Sequence, residues 1–470
     1  MEPAERAEQP ESEIYRVIVF RQAGMELLLT STENGVSLPE VTTPRWQRAA
    51  ENLGLATKST WGEEVICLFQ SDATTLGSSD NRIHYQVAEH WGSAGKSEVP
   101  TQWVSLDDLR QDSFVDHSDY AAIEQSVAER DTWARDPVGG PFAQLGWFKE
   151  LYEWIEGEIA PRGLHLNGNF RQLNASPSFS LIRFEADGPA VWFKAVGEPN
   201  QREFPITLAL ARLFPEHVPP ILAVRPAWNG WLMIEAEGTN LGESKDVSVW
   251  ERAVAEMAEL QVASVSTHRQ LLRSGAHDLR TRSLRDVVSP FMSLTGHLMG
   301  RQLKVPPPVL SEMELKLLGE RIQEALSQAE ELGIPDTLGH LDANPGNIII
   351  SRSGCAFLDW AEAYVGHPFF SFQYLVEHFR RIGGADSSSE SRLAAAYLRA
   401  WEHIASRECL AEAMTLAPLL AAFAYVAGTD TWRQPERLRD LHSASYLRGL
   451  TRRMNREAKQ LSDGKAPCLI

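Results

Sequence analysis

The sequence predicts an α+β protein with a small α/β domain, then a β-rich lobe, then a larger helical lobe. Three observations carry that reading. Short β-type runs separated by polar turns fill residues from about 14 to 107. A second group of short strands follows the linker "RDPVGGPF". Past about Leu241 the apolar residues recur at helical spacing, and helices continue to about Lys459.

Taken in order, "YRVIVF", "MELLLT", "EVICLF" and "RIHYQVA" read as strands, with "RWQRAAENLGL" as one helix ending at Gly54. "SDYAAIEQSVAERDTWA" is a helix, and the linker after it sets a boundary near Val138 to Gly140. The part from Gly139 onward is expected to fold by itself. It opens with the amphipathic "AQLGWFKELYEWIEGEIA", and the strands "SFSLIRFE", "AVWFKAV", "PILAVR" and "GWLMIEA" follow, interrupted by the helix "EFPITLALARLF". "VSVWERAVAEMAELQVASV" and "SEMELKLLGERIQEALSQAEEL" are helices, the second closed by Gly333. The expected division is a disordered tail at 1–13, a first domain at 14–110, a helix and linker at 111–141, the small lobe at 142–240 and the helical lobe at 241–460.

Composition excludes several function classes. The net charge of -18 over 470 residues disfavours binding to nucleic acid or to anionic membranes, since both need a basic surface. From Glu362 onward the balance reverses, with 14 basic against 12 acidic residues. The four cysteines form no CxxC pair, so neither a disulfide framework nor a zinc site is expected. The start "MEPAERAEQPESE" is too polar and acidic for a signal or transit peptide. The long apolar run "TLAPLLAAFAYVAG" suits a buried helix. The expectation is a cytoplasmic protein with no nucleic-acid or membrane partner. The sequence leaves its oligomeric state open.

Chemistry is concentrated in "GHLDANPGNIIISRSGCAFLDW", residues 339–360. His340, Asp342 and Asn347 stand as H-x-D-x-x-x-x-N, the spacing of a catalytic loop in which the Asp takes a hydroxyl proton and the Asn holds magnesium. Asp359 closes the apolar run "CAFLD", where a second metal carboxylate belongs. Phosphoryl transfer is mostly positioning and charge neutralisation, so one carboxylate must face the acceptor and another the metal. The strands "NIII" and "CAFL", joined by "SRSG", would bring Asn347 and Asp359 to one edge of a hairpin. Such a site also needs a lysine paired with a helix glutamate. Lys194 in "AVWFKAV" and Glu203 at the head of "EFPITLALARLF" supply them. A turn-rich loop at "NASPS", with Ser176 and Ser178, stands where phosphates are covered, although it lacks G-x-G-x-x-G. "WLMIEAEG", with Glu235, is placed to receive adenine on backbone groups.

These motifs resemble the aminoglycoside phosphotransferase and choline kinase-like superfamily over roughly residues 145 to 455. The hallmark H-G-D-x-x-P-G-N followed by I-D-W stands here as "HLDANPGN" and "FLDW". The resemblance implies a bilobal protein kinase-like fold, ATP and Mg2+ as cofactors, and a small-molecule hydroxyl acceptor. It makes Asp342 and His340 the catalytic-loop residues, Asn347 and Asp359 the metal ligands, and Lys194, Glu203, Ser176, Ser178 and Glu235 the nucleotide contacts. There are two departures. Leu341 replaces the usual Gly, and Ser371 stands where an Asp often braces the loop. The basic balance after Glu362 points to an uncharged or anionic acceptor.

Each residue also has a plainer reading. Lys194 alone reads as a snorkelling lysine, Glu203 as a first-turn acid, and Asp342, Asn347 and Asp359 as turn formers. His340 reads as structural, and Trp360, Phe369, Phe370, Phe372 and Tyr374 as core. Joint spacing favours the site for the carboxylates, Asn347 and the Lys–Glu pair. Residues 12–110 resemble the Nudix hydrolase fold through "MELLLT", "VSLPEV", "AAENLGL" and "WVSLDDL". Only Glu40 and Glu51 stand near a Nudix metal pattern, so this domain is expected to be inactive. The rival readings are a non-catalytic nucleotide-binding protein and a Nudix-type pyrophosphohydrolase.

Overall fold

The structure, a computed structural model, describes residues 12–45, 48–76, 82–92, 95–97, 99–135, 140–382, 386–429 and 431–463. The expected tail at 1–13 lies outside them apart from Ser12 and Glu13, which open a strand; of the expected boundary only Gly140 lies inside. The chain divides into two compact units, Met1–Phe204 with Ile221–Glu235, and Pro205–Pro220 with Ala236–Ile470.

The first unit opens with β1 (Ser12–Arg21), β2 (Glu26–Thr32), β3 (Gly35–Ser37) and β4 (Glu40–Pro44). Then come α1 (Ala49–Trp61), β5 (Glu64–Leu76), β6 (Arg82–Trp91), β7 (Thr101–Ser105) and α2 (His117–Arg135). Its first sheet has the order β3-β2-β1-β6-β5, with β4 on β1 and β7 on β2. β1 and β6 run parallel, and the other pairs are antiparallel. The helix expected to stop at Gly54 continues to Trp61 and ends at Gly62, whose φ of 68° is left-handed. The buried stripe Ala50, Leu53, Thr57 and Trp61 runs past Gly54, so packing outweighs the roughly 1 kcal/mol that an interior glycine costs a helix.

The same unit continues with α3 (Trp147–Ile159), β8 (Leu166–Ser176), β9 (Phe179–Ala186), β10 (Val191–Ala195) and the start of α4 (Glu203–Leu213). It ends with β11 (Ile221–Arg225) and β12 (Gly230–Ile234). These strands form an antiparallel sheet of order β11-β12-β10-β9-β8. One apolar core joins the two sheets: Ile18, Phe20, Leu68 and Val87 belong to the same cluster as Phe148, Phe184 and Phe193. Trp91 meets Phe148 edge-on at 4.8 Å. The buried amide of Gln172 on β8 pairs with β5 as a strand would, accepting from the Cys67 amide at 2.8 Å and donating to the Cys67 carbonyl at 2.9 Å. The segments on either side of the linker thus bury each other.

In the second unit β13 (Thr239–Asn240) precedes α5 (Val247–Ser264), α6 (His268–Arg273), β14 (His277–Leu279), α7 (Thr281–Gly300) and α8 (Glu312–Glu331). Then follow β15 (Thr337–His340), β16 (Ile348–Ile350), β17 (Cys355–Phe357) and β18 (Ala363–Gly366). The helices α9 (Phe369–Arg381), α10 (Ser387–Leu398), α11 (Arg407–Gly428) and α12 (Leu441–Ser462) close the chain. Local chemistry sets the helix ends. Ser311 and Glu314 form a reciprocal capping box on α8, and Asp246 and Asp440 cap α5 and α12. Among the described residues one helix, α11, is long and apolar enough to cross a membrane, and most of it is buried. Two small sheets, β13-β16-β17 and β14-β18-β15, carry the residues singled out above.

Candidate active site

β15 is buried along its whole length and pairs antiparallel with β18, Gly339 opposite Tyr364 and His340 opposite Ala363. A Cβ at Gly339 would lie 2.0 Å from the Tyr364 ring, so only glycine lets the strands approach this closely. The ladder continues one step, with the Leu341 amide donating to the Glu362 carbonyl at 3.1 Å. The chain then turns through Asp342 to Asn347 and enters the expected hairpin of β16 and β17, closed by the Ser351 amide on the Gly354 carbonyl. At its base the Leu358 amide donates to the Asn347 carbonyl at 2.8 Å, which sets Asn347 beside the start of the Asp359 segment.

His340 ties these pieces together. Its Nδ1 accepts from the Asp342 amide at 3.1 Å, so the proton must sit on Nε2, which reaches the Leu358 carbonyl at 2.9 Å. The buried ring leans on Trp360, centroids 4.8 Å apart. The His340 amide donates to Ser371 Oγ at 2.8 Å, and Ser371 is held in turn by the Tyr364 hydroxyl at 3.0 Å. Ser371 therefore braces the loop through a backbone bond. The second departure, Leu341, is buried and its side chain fills the space above Gly428 on α11.

Asp342 is oriented from one side. Its Oδ2 accepts from Asn344 Nδ2 and Asn347 Nδ2, both at 3.0 Å. Asn347 Nδ2 also donates to the Asp342 carbonyl at 3.1 Å, which turns the Asn347 Oδ1 the other way. Asp342 Oδ1 meets the Tyr374 hydroxyl at 3.4 Å. Asp359 is exposed and left-handed, with φ 62° and ψ 63°, a conformation costing a non-glycine residue about 1 kcal/mol or more. Gln22, Ala23 and Asn229 also have positive φ, so the conformation of Asp359 points to a function only together with its place beside the Asp342 loop. Burial, with the charges of Asp342 and Asp359, pushes the Glu362 carboxyl up to about 7. Among the described residues no three or more His, Cys, Asp or Glu side chains gather as a metal site; Asn347 and Asp359 offer the oxygen donors that a hard divalent cation takes.

In the first unit, Lys194 on β10 and Glu203 at the head of α4 form a buried ion pair, Nζ to Oε1 2.5 Å. Ser176 ends β8, and Ser176 pairs with Phe179 across a tight turn made by Pro177 and Ser178. "NASPS" is thus the tip of a hairpin where a longer loop was expected; the strand ladder of β8 and β9 runs further than the turn-forming residues suggest. Glu235 follows β12; its amide donates to the Ala190 carbonyl, and its carboxylate takes Arg183 Nε at 2.6 Å and Trp192 Nε1 at 3.1 Å. Hydrogen bonds from Arg183 hold that carboxyl below the usual range.

Residues 203–413 match the phosphotransferase enzyme family. This stretch of the chain holds Glu203, Asp342, Asn347 and Asp359, and the match supports a small-molecule phosphotransferase. No curated protein matches the chain in sequence. Among solved structures, Plasmodium vivax ethanolamine kinase is 12% identical, covering 73% of this chain and 96% of its own, with a TM-score of 0.46. The Brachybacterium faecium macrolide 2'-phosphotransferase MphH is 17% identical, covering 63% and 98%, with a TM-score of 0.42. Choline kinase from Cryptosporidium parvum is 12% identical, covering 67% and 98%, with a TM-score of 0.44.

Some contacts around the Asp342 loop were not foreseen. Asn344, Glu362 and Tyr374 all bear on Asp342, and Tyr374 is half-buried at the loop, unlike the core residues Phe369, Phe370 and Phe372. A signal existed: Tyr374 lies three residues after Ser371, on the same helix face. The basic residues counted after Glu362 are largely engaged elsewhere. Arg380 grips Glu390 at 2.7 Å, Arg453 binds Glu377, and Arg452 donates to the Pro308 carbonyl. Near Asp342 the charges are mixed: Glu362 and Arg381 both act on Tyr374, and His378 lies against the Tyr374 ring. In the N-terminal segment, Glu40 bonds Arg16 at 3.1 Å and Glu51 bonds Arg171 Nε at 2.9 Å. Both glutamates of the Nudix-like pattern are thus taken up by arginines.

Proposed function

We propose that this protein is an ATP- and magnesium-dependent phosphotransferase that moves the γ-phosphate to a hydroxyl of a small molecule. The support is the way a single imidazole, His340, holds the backbone of the base loop by one nitrogen and that of the metal-carboxylate segment by the other. In this reading His340 is a positioning residue. Asp342 accepts the acceptor's proton on Oδ1 as the acceptor oxygen bonds to the γ-phosphorus, and the electrons of the broken bond leave with ADP. Asn347 and Asp359 hold magnesium, which would neutralise phosphate charge. Lys194, fixed by Glu203, orients the α- and β-phosphates. The Ser176–Ser178 turn contributes phosphate contacts, and Glu235 lies in the stretch that receives the adenine on its backbone.

The test is to incubate the purified full chain with ATP, magnesium and a panel of hydroxyl compounds that includes choline, ethanolamine, a macrolide and spectinomycin. ADP and phosphorylated product are both measured, with Asp342→Asn as the control. Product formation that disappears in the control is the expected result. ADP formation no greater than that of Asp342→Asn, with every acceptor and with water, would sink the proposal.

A further inference from the structure

The two oxygens of Asp342 are not equivalent. Oδ2 carries two amide donors at 3.0 Å, which fixes the carboxylate plane. Oδ1, the oxygen left to face an acceptor, meets the Tyr374 hydroxyl at 3.4 Å. A full-strength O–H···O bond has a length of about 2.7 Å, so this contact is loose and adds little to folding. Loose catalytic hydrogen bonds before the acceptor arrives are a common state of an active site, tightening only in the complex.

The Tyr374 ring is held firmly where its hydroxyl is not. It lies on α9 one turn beyond Ser371 and stacks on Tyr425 of α11, centroids 6.0 Å apart with the planes 15° from parallel. The Tyr446 hydroxyl from α12 donates to the Tyr425 hydroxyl at 3.4 Å. Burial and the negative charges of Asp342 and Glu362 raise the Tyr374 phenol, which keeps it a neutral donor. Three helices thus hold one phenol at the base's working oxygen.

We infer that Tyr374 is a positioning residue for phosphoryl transfer, its hydroxyl sharing Asp342 Oδ1 with the acceptor hydroxyl and setting the direction from which that hydroxyl is deprotonated. The inference rests on the function proposed above. An acceptor arriving at Oδ1 meets a donor already aimed at the same lone pairs, so the tyrosine limits the angles open to it. A shared donor also holds the carboxylate rotamer during transfer, where its charge is being used.

Tyr374→Phe keeps the stacked ring and removes only the hydroxyl. With the best acceptor of the panel, kcat should fall about ten-fold, the weight of one hydrogen bond to a charged group. The KM for ATP and the thermal midpoint should stay as in the native chain. Tyr374→Leu, which also breaks the stack on Tyr425, should lower kcat at least as far and raise the acceptor KM. An unchanged kcat in Tyr374→Phe overturns the inference and leaves the function standing. A raised acceptor KM at native kcat also overturns it, since the phenol would then be a binding contact alone. A native chain that turns over no acceptor overturns both.

Discussion

Replacing Glu203 by glutamine takes the carboxylate from Lys194 at a place where neither side chain is well hydrated, with 8% and 2% of their side-chain surfaces exposed. The ammonium has two aromatic rings nearby, those of Phe179 and Trp231, each 5.9 Å from Nζ, too far to replace a carboxylate at 2.5 Å. Breaking a buried ion pair by removing one partner costs about 3–5 kcal/mol, because the remaining charge keeps its desolvation penalty. A typical domain is stable by only about 5–15 kcal/mol, so the first unit should lose a large share of its margin. Urea unfolding followed by tryptophan fluorescence reads this directly, since Trp231 is buried beside the pair. The midpoint of Glu203→Gln should fall clearly, whereas the double variant Lys194→Met with Glu203→Leu should regain most of the loss, because apolar side chains of similar volume often replace a buried pair at no net cost. Neither variant should bind ATP as the native chain does. A native midpoint in Glu203→Gln would refute the reasoning, and a double variant no more stable than the single would show that the loss has another source.

Asp342→Asn should lower turnover by about 10²-fold or more, the usual weight of a general base, with ATP affinity by calorimetry nearly unchanged. Asp359→Ala should abolish turnover at any ordinary magnesium concentration, and rescue by ordinary magnesium would place the ion elsewhere. Glu362 should make any magnesium binding at this site pH-dependent. Its carboxyl is raised to about 7, so part of it is protonated just below neutrality, and a cation beside Asp359 would oppose the negative charges that help to raise it. Binding should then release protons, and affinity should rise with pH through about 7 and level off above, as calorimetry in buffers of different ionisation enthalpy would show; Glu362→Gln should remove the effect. A chain starting at Gly139 leaves Phe148, Phe184 and the Gln172 amide without their partners from the first sheet. It should aggregate or bind a hydrophobic dye, and a monodisperse, dye-negative product would contradict the shared core.

Much of this was legible where chemistry is local. The H-x-D-x-x-x-x-N spacing, the strands "NIII" and "CAFL", and the helix "SEMELKLLGERIQEALSQAEEL" are short-range patterns, and each falls on the element the sequence suggests. Lys194 and Glu203 were nameable because a lone lysine in an apolar strand stands out. What escaped is long-range. Nothing near Gln172 signals that its amide will complete a strand pair with Cys67, 105 residues away. Nor does the sequence near Ser371 show that its hydroxyl accepts from the His340 amide, 31 residues back. A charge count along the chain says little about which arginines reach a given site, since an arginine's partner is set by packing and not by its neighbours in sequence; Arg392, for example, pairs with Glu251, 141 residues back.

Leu341 and Gly428 constrain each other's size. A Cβ at 428 would stand 2.3 Å from Leu341 Cδ1 and 3.4 Å from Leu279 Cδ1, so one position can be large only while the other stays small. Either change made alone passes through a worse protein: glycine at 341 opens a void, and alanine at 428 forces a buried leucine out of place. The two sites should therefore be coupled: Gly428→Ala should cost less stability in a Leu341→Gly background than in the native chain. The order of the steps matters as well. Shrinking 428 first leaves a small hole that leucine can later fill, whereas enlarging 341 first meets a clash. A leucine in this loop is thus tolerated only because a glycine on a distant helix leaves room for it.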